Sequence, residues 1–126
     1  YERLAQLWDE ENALGLRAIQ PYQAFAARAA EIRAAFAAQI ADLSKRGQSV
    51  HLFGSDAGAA MLYAWAGAKA DIIEAAVVAT AFEDGARLVA GGPSIISEQE
   101  SRAVNPDCLI APSALKREIL ERWRDY

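Results

Sequence analysis

The sequence is poor in the residues that most often mark a site. It has one histidine, one cysteine and one methionine in 126 residues, and four prolines. The single cysteine, Cys108, excludes an intrachain disulfide, and its place in the apolar run Cys108-Leu109-Ile110-Ala111 reads as a buried structural thiol. The single histidine, His51, has no Cys or Asp cluster beside it, so the usual metal site is excluded. It alternates with Val50 and Leu52, which favours a structural role over a catalytic one. No apolar run reaches the roughly 18 residues that would span a bilayer, and no signal peptide is visible; a cytoplasmic protein is expected. Long basic runs are missing and the formal net charge is −4, which argues against nucleic acid or an anionic membrane as partner. Neither the dinucleotide fingerprint G-x-G-x-x-G nor the nucleophile elbow G-x-S-x-G is present.

What is present is apolar bulk. Apolar residues make up 53% of the chain, enough for a real core and too many for disorder. The chain begins at Tyr1 rather than Met, from which a fragment of a longer protein is expected. Residues 1 to 19 place Leu4, Leu7, Trp8, Leu14 and Ile19 among polar residues, as an amphipathic helix interrupted at Gly15 does. Pro21 suits the first turn of a second helix. In that helix Tyr22, Phe25, Ala29, Ile32, Phe36, Ile40 and Leu43 recur three or four apart up to Arg46. The stripe is narrow and predicts packing on one layer; Gly47 is the expected stop.

Strand and helix patterns then alternate. Val50 to Phe53 reads as a strand, Asp56 onward as a helix ending near Gly67, and residues 72–80 as a second strand. Ala81 to Pro93 reads as loop, with a brief strand at Arg87-Leu88-Val89. Ser94-Ile95-Ile96 is a third strand, and Ser97 with Glu100 three residues on is a capping box. Asn105-Pro106-Asp107 ends that helix, Cys108 to Ala111 makes a fourth, buried strand, and Ala114 to about Arg124 a last helix. Such alternation predicts an α/β fold with a parallel sheet and right-handed crossovers. Two regions are expected: residues 1–20 as a linking helix and 21–126 as the domain.

The stretch Ser49 to Leu62 carries the main candidate site. In a parallel sheet ligands bind beyond the carboxyl ends of strands, and Gly54 lets the first strand turn sharply into a helix. Asp56 argues against phosphate there, because its carboxylate can cap the helix and repel the anion. It suits sugar hydroxyls, which donate to carboxylates. The candidate ligand contacts are Gly54, Ser55, Asp56 and Ala57 after the first strand, Thr80, Ala81 and Phe82 after the second, and Gly91, Gly92 and Pro93 before the third, folded over the other two. Glu83-Asp84 is either a solvated loop pair or a group that recognises ribose hydroxyls. No acid–base pair, nucleophile or metal set is identified.

A run of features resembles one family region. These are Gly47-Gln48-Ser49-Val50-His51-Leu52-Phe53-Gly54, Gly67, a glycine-rich loop before Pro93-Ser94-Ile95-Ile96, then Pro106-Asp107-Cys108-Leu109-Ile110 and Lys116-Arg117-Glu118-Ile119. Together they resemble the C-terminal domain of the S-adenosylmethionine-dependent sugar C-methyltransferases. Glu10-Glu11, Leu14-Gly15-Leu16 and Tyr22-Gln23-Ala24-Phe25 resemble the segment leading into it. The resemblance runs from about Glu10 to Trp123. It implies a Rossmann-like parallel sheet of about four or five strands flanked by helices, with N-terminal helices. It also implies a structural or sugar-nucleotide-docking role, with upstream domains, a methyltransferase domain among them, as partners. S-adenosylmethionine is then expected only in the missing domain: no cofactor is expected in this chain, and alone it is expected to be inactive. Where the family usually has Gly-Ala-Ser-x-Lys-Gly, this chain has Gly54-Ser55-Asp56-Ala57-Gly58, without lysine. Thr80 stands at a usual Asp, and Asp84 rather than a lysine precedes Gly85. A stand-alone nucleotide or sugar-nucleotide module and a ligand-free interaction domain are the two alternatives.

Overall fold

Helix and strand patterns emerge in the expected order in a computed structural model, which describes residues 1–80, 83–112 and 116–124. The chain forms two units, Tyr1–Ala35 and Phe36–Tyr126.

The first unit holds helix α1 (Glu2–Ala13) and the start of helix α2 (Gln20–Lys45). Between them the chain turns at Gly15, whose φ is +66°. The turn is held by Tyr22, whose hydroxyl donates to the Leu16 carbonyl at 2.7 Å, and the Arg17 guanidinium stacks 3.2 Å from the Trp8 ring centre. No described residue of this unit is buried. The apolar stripe that predicted packing is exposed here at Tyr22, Phe25 and Ile32.

In the second unit the last turns of α2 do pack. Ile40 is buried, and Phe36 and Leu43 lie against the same cluster. The helix stops at Gly47, with φ +66°. Strand β1 (Val50–Phe53) follows, then α3 (Ala57–Ala66), a 3-10 helix (Gly67–Ile72) that the sequence pattern did not announce, and β2 (Ile73–Val78). Strand β3 (Ser94–Ser97) runs into α4 (Glu98–Val104), β4 (Cys108–Ile110) follows, and α5 (Lys116–Arg122) is last. The expected residues Ala114 and Leu115 of the last helix lie outside the described residues. The capping box forms as expected, with Ser97 and Glu100 bonded reciprocally. Asn105 ends α4 in the left-handed conformation.

The four strands form a wholly parallel sheet in the order β3-β2-β1-β4. β1 is central and buried at all four positions. Val50 and Leu52 face a cluster with Ile40, Ala59, Ala66 and Ile73; Phe53 faces the other side, with Val77, Ile119 and Trp123. The register slips once, pairing Val50 with Ile73 but His51 with Ala75, so Glu74 is an extra residue in β2. This bulge lets Ile73 serve one face and Val77 the other.

Two expectations are corrected. Cys108 to Ala111 is half-buried rather than buried, because β4 lies on the sheet edge with a neighbour on one side only. Arg87-Leu88-Val89 makes no strand; Arg87 forms one isolated antiparallel bridge with Ser94.

Candidate functional site

The carboxyl edge of the sheet is shaped by the turn from β1 into α3. Gly54 has φ +119°, and a Cβ there would lie 3.3 Å from the Ala59 methyl, so the turn requires glycine. Its N–H donates to the Val77 carbonyl at 2.8 Å, tying the turn to β2. Asp56 caps α3 as the sequence suggested, its Oδ1 accepting from the Ala59 N–H at 2.9 Å. A carboxylate thus occupies the place where an anion would meet the start of the helix.

Two crevices flank this turn, and Asp56 lines both. One, of about 310 Å³, is walled by Phe53, Gly54, Ser55, Val77–Ala79 and, from α5, Glu118 and Arg122. The other, of about 390 Å³, is mainly apolar, with Phe36, Met61, Leu62, Ile110, Ala111 and Pro112. It lies between the ends of β1 and β4, where the strand order reverses.

The first crevice contains the charged set. Glu118 and Arg122 are one helical turn apart on α5, so both side chains project from the same face. Arg122 Nε lies 3.2 Å from Glu98 Oε2, and its guanidinium carbon is 5.7 Å from the Phe53 ring centre. Glu98 also pairs with Arg102 at 3.4 Å. Arg102 in turn donates to the Arg122 carbonyl and stacks 4.3 Å from the Trp123 ring. The Glu98 side chain is only 12% exposed, against 43% for Arg122, so the acceptor is fixed while the guanidinium reaches the crevice.

Of the residues singled out from sequence, Gly54, Ser55 and Asp56 line the first crevice. Ala57 opens α3, and Thr80 follows the lining residue Ala79. Ala81 and Phe82 lie outside the described residues. Gly91, Gly92 and Pro93 are not brought to this edge. They precede β3, and in a parallel sheet the start of a strand lies opposite its neighbours' ends; Ser94 pairs with Ala75, near the start of β2. There they border a separate polar hollow of about 300 Å³ with Tyr63, Asp71, Glu74 and Arg87. The loop is closed on itself: Arg87 donates to the Gly92 carbonyl at 2.6 Å, and Leu88 N–H to the Pro93 carbonyl at 3.0 Å. A Cβ at Gly92 would lie 2.6 Å from a Val89 methyl, so this glycine serves packing.

His51 is buried under α4, its Nδ1 2.7 Å from Ser101 Oγ. Burial pushes its pKa below the ordinary value, with the Glu74 carboxylate opposing. Cys108 is pushed up by burial, opposed by Arg46 and reinforced by Asp107. Among the described residues no group of three His, Cys, Asp or Glu side chains could hold a metal ion, and no helix is long and apolar enough to cross a membrane.

The family model for the C-methyltransferase C-terminal domain matches residues 1–126. The chain belongs to that family. No curated protein matches it. Within this C-methyltransferase C-terminal domain, the residues that sequence reasoning missed are Glu98, Glu118 and Arg122. A signal was available for two of them: Glu118 and Arg122 are spaced i,i+4 and flank the apolar Ile119 and Trp123, on a helix that follows a strand and so starts at the carboxyl edge.

Proposed function

We propose that this domain docks a sugar nucleotide at the carboxyl edge of its sheet, for an S-adenosylmethionine-dependent C-methyltransferase whose chemistry is carried by other domains of a longer cytoplasmic protein. The observation that carries the reading is the crevice beside Gly54, where Asp56 and Glu118 can accept hydrogen bonds from sugar hydroxyls and Arg122 can donate. The residues present do not fit S-adenosylmethionine itself. The first turn, Gly54-Ser55-Asp56-Ala57-Gly58, lacks a glycine-rich cradle for the cofactor. The domain therefore supplies binding and orientation, and no step of methyl transfer is assigned to it.

Calorimetric titration with a nucleoside diphosphate deoxyhexose tests this. Heat of binding with a matching rise in melting temperature is expected; neither signal at millimolar ligand overturns the reading. S-adenosylmethionine is expected to give no heat, and no methyl transfer is expected from this chain alone. Asp56→Lys should strengthen binding of the sugar-free nucleoside diphosphate, by an amount that shrinks with added salt. It should also cost up to about 1 kcal/mol of stability through the lost cap. A loss of stability with diphosphate binding still undetectable at low salt would make the turn structural only.

A second reading, an interaction domain, is favoured by the first unit. Leu7, Trp8, Tyr22 and Phe25 are exposed on α1 and α2, and exposed apolar surface is what interaction sites use.

A further inference from the structure

We infer that the first crevice reads the sugar of its ligand rather than the diphosphate, and that Glu98 is the positioning residue that sets this preference by holding and neutralising Arg122. The inference rests on the docking function proposed above.

Among the described residues lining the crevice Arg122 is the one cation, and it does not act as an isolated charge. Glu98 takes its Nε at 3.2 Å from a nearly buried position. That ion pair engages the Nε side of a planar guanidinium, whose terminal nitrogens point along other directions. Among the described residues that line the crevice or pair with its lining, three carboxylates (Asp56, Glu118, Glu98) stand against two guanidinium groups (Arg122, Arg102). A diphosphate entering this set meets more negative than positive charge. A neutral ring with several hydroxyls meets donors and acceptors side by side, since Arg122 donates while Asp56 and Glu118 accept. The wall against which Arg122 lies is the buried Phe53 ring, which backs the guanidinium from the core side.

Glu98 therefore has two separable effects. Its oxygen fixes where the guanidinium sits, and its charge cancels the guanidinium's attraction for anions. Glu98→Gln keeps one oxygen acceptor for Nε and removes the charge, together with the second oxygen that Arg102 uses. It should make the site more receptive to phosphate without moving Arg122.

The test is calorimetry on the 126-residue chain, using a nucleoside diphosphate and the same nucleotide carrying a deoxyhexose, at ionic strengths of about 0.02 and 0.2 M. The sugar nucleotide should bind about tenfold tighter than the sugar-free nucleotide, with a ratio that salt barely changes. Arg122→Gln should remove most of that ratio. Arg122→Lys, which keeps the charge but loses the planar fork, should also reduce it, and serves if the first variant folds poorly. Glu98→Gln should raise the affinity for the sugar-free nucleotide several-fold at the lower ionic strength and not at the higher. Equal, steeply salt-dependent binding of both ligands to the wild type would overturn the inference. So would variants at 98 and 122 that leave both affinities unchanged, although the docking function would then stand. If neither ligand binds the wild type, the docking function fails and the inference with it.

Discussion

The two edges of the sheet use glycine and charge in opposite ways. At the carboxyl edge Gly54 opens a sharp turn, and Asp56, Glu118 and Arg122 line a crevice beside it. At the amino edge Gly92 is closed in, while Gly91 beside it is open. Gly92 sits against Val89, its carbonyl is held by Arg87, and the loop is bonded to itself at Leu88 and Pro93. A glycine-rich segment is thus no guide to a binding loop. What separates the edges is the use made of arginine: Arg87 is consumed in fixing the loop backbone, whereas Arg122 faces the crevice.

Substitution at one glycine from each edge breaks the comparison most directly. Gly54→Ala combines a positive φ with a tight approach to Ala59, and should cost about 2–3 kcal/mol in denaturant unfolding while also abolishing ligand binding. Gly92→Ala should cost about 1–3 kcal/mol through overpacking against Val89, yet leave ligand affinity at the carboxyl edge unchanged. If Gly92→Ala weakens binding as much as Gly54→Ala, the two edges are not functionally distinct.

A gentler perturbation acts between the edges, at His51. Its folded pKa lies below the ordinary value because it is buried, so between the folded and the unfolded value the unfolded chain binds more protons. Stability from the neutral ring is then complete above the unfolded value of about 6.5 and falls as the pH drops below it. Unfolding followed from pH 7.5 downward should show this slope, and His51→Gln should flatten it. An unchanged slope in the variant would assign the acid sensitivity to other groups.

Much of the fold was legible because its determinants are local. Alternating strand and helix patterns, the Ser97–Glu100 box and the Asp56 cap each depend on residues within a few positions of one another. The parallel sheet and the family resemblance followed from their order. The site was legible only in part. Gly54 to Asp56 could be placed because a strand leads directly into them. Gly91 to Pro93 were drawn toward the same edge by their composition, although the direction of a parallel β3 puts them at the other. The ion pair of Glu98 with Arg122 joins residues from two helices separated by β4, and no periodicity in the sequence encodes that meeting. The exposure of Cys108 likewise depends on strand order: β4 lies outside β1 rather than between strands.

At the amino edge, Ser49 and Asp107 exchange three hydrogen bonds: Ser49 N–H and hydroxyl to Asp107 Oδ2 at 2.8 and 3.1 Å, and Asp107 N–H to Ser49 Oγ at 3.1 Å. The two residues are 58 positions apart, and β2, β3 and α4 lie between them. Closing a flexible loop of that length costs roughly 3–4 kcal/mol in chain entropy, so the clamp forms cheaply only after the intervening strands have collapsed. In kinetic language it is a latch, engaged on the native side of the folding barrier. Asp107→Ala should therefore speed unfolding in stopped-flow measurements and leave the folding rate nearly unchanged; a slowed folding limb would mean that β4 joins the sheet early. The amino edge would then govern how long the crevice at the carboxyl edge stays assembled.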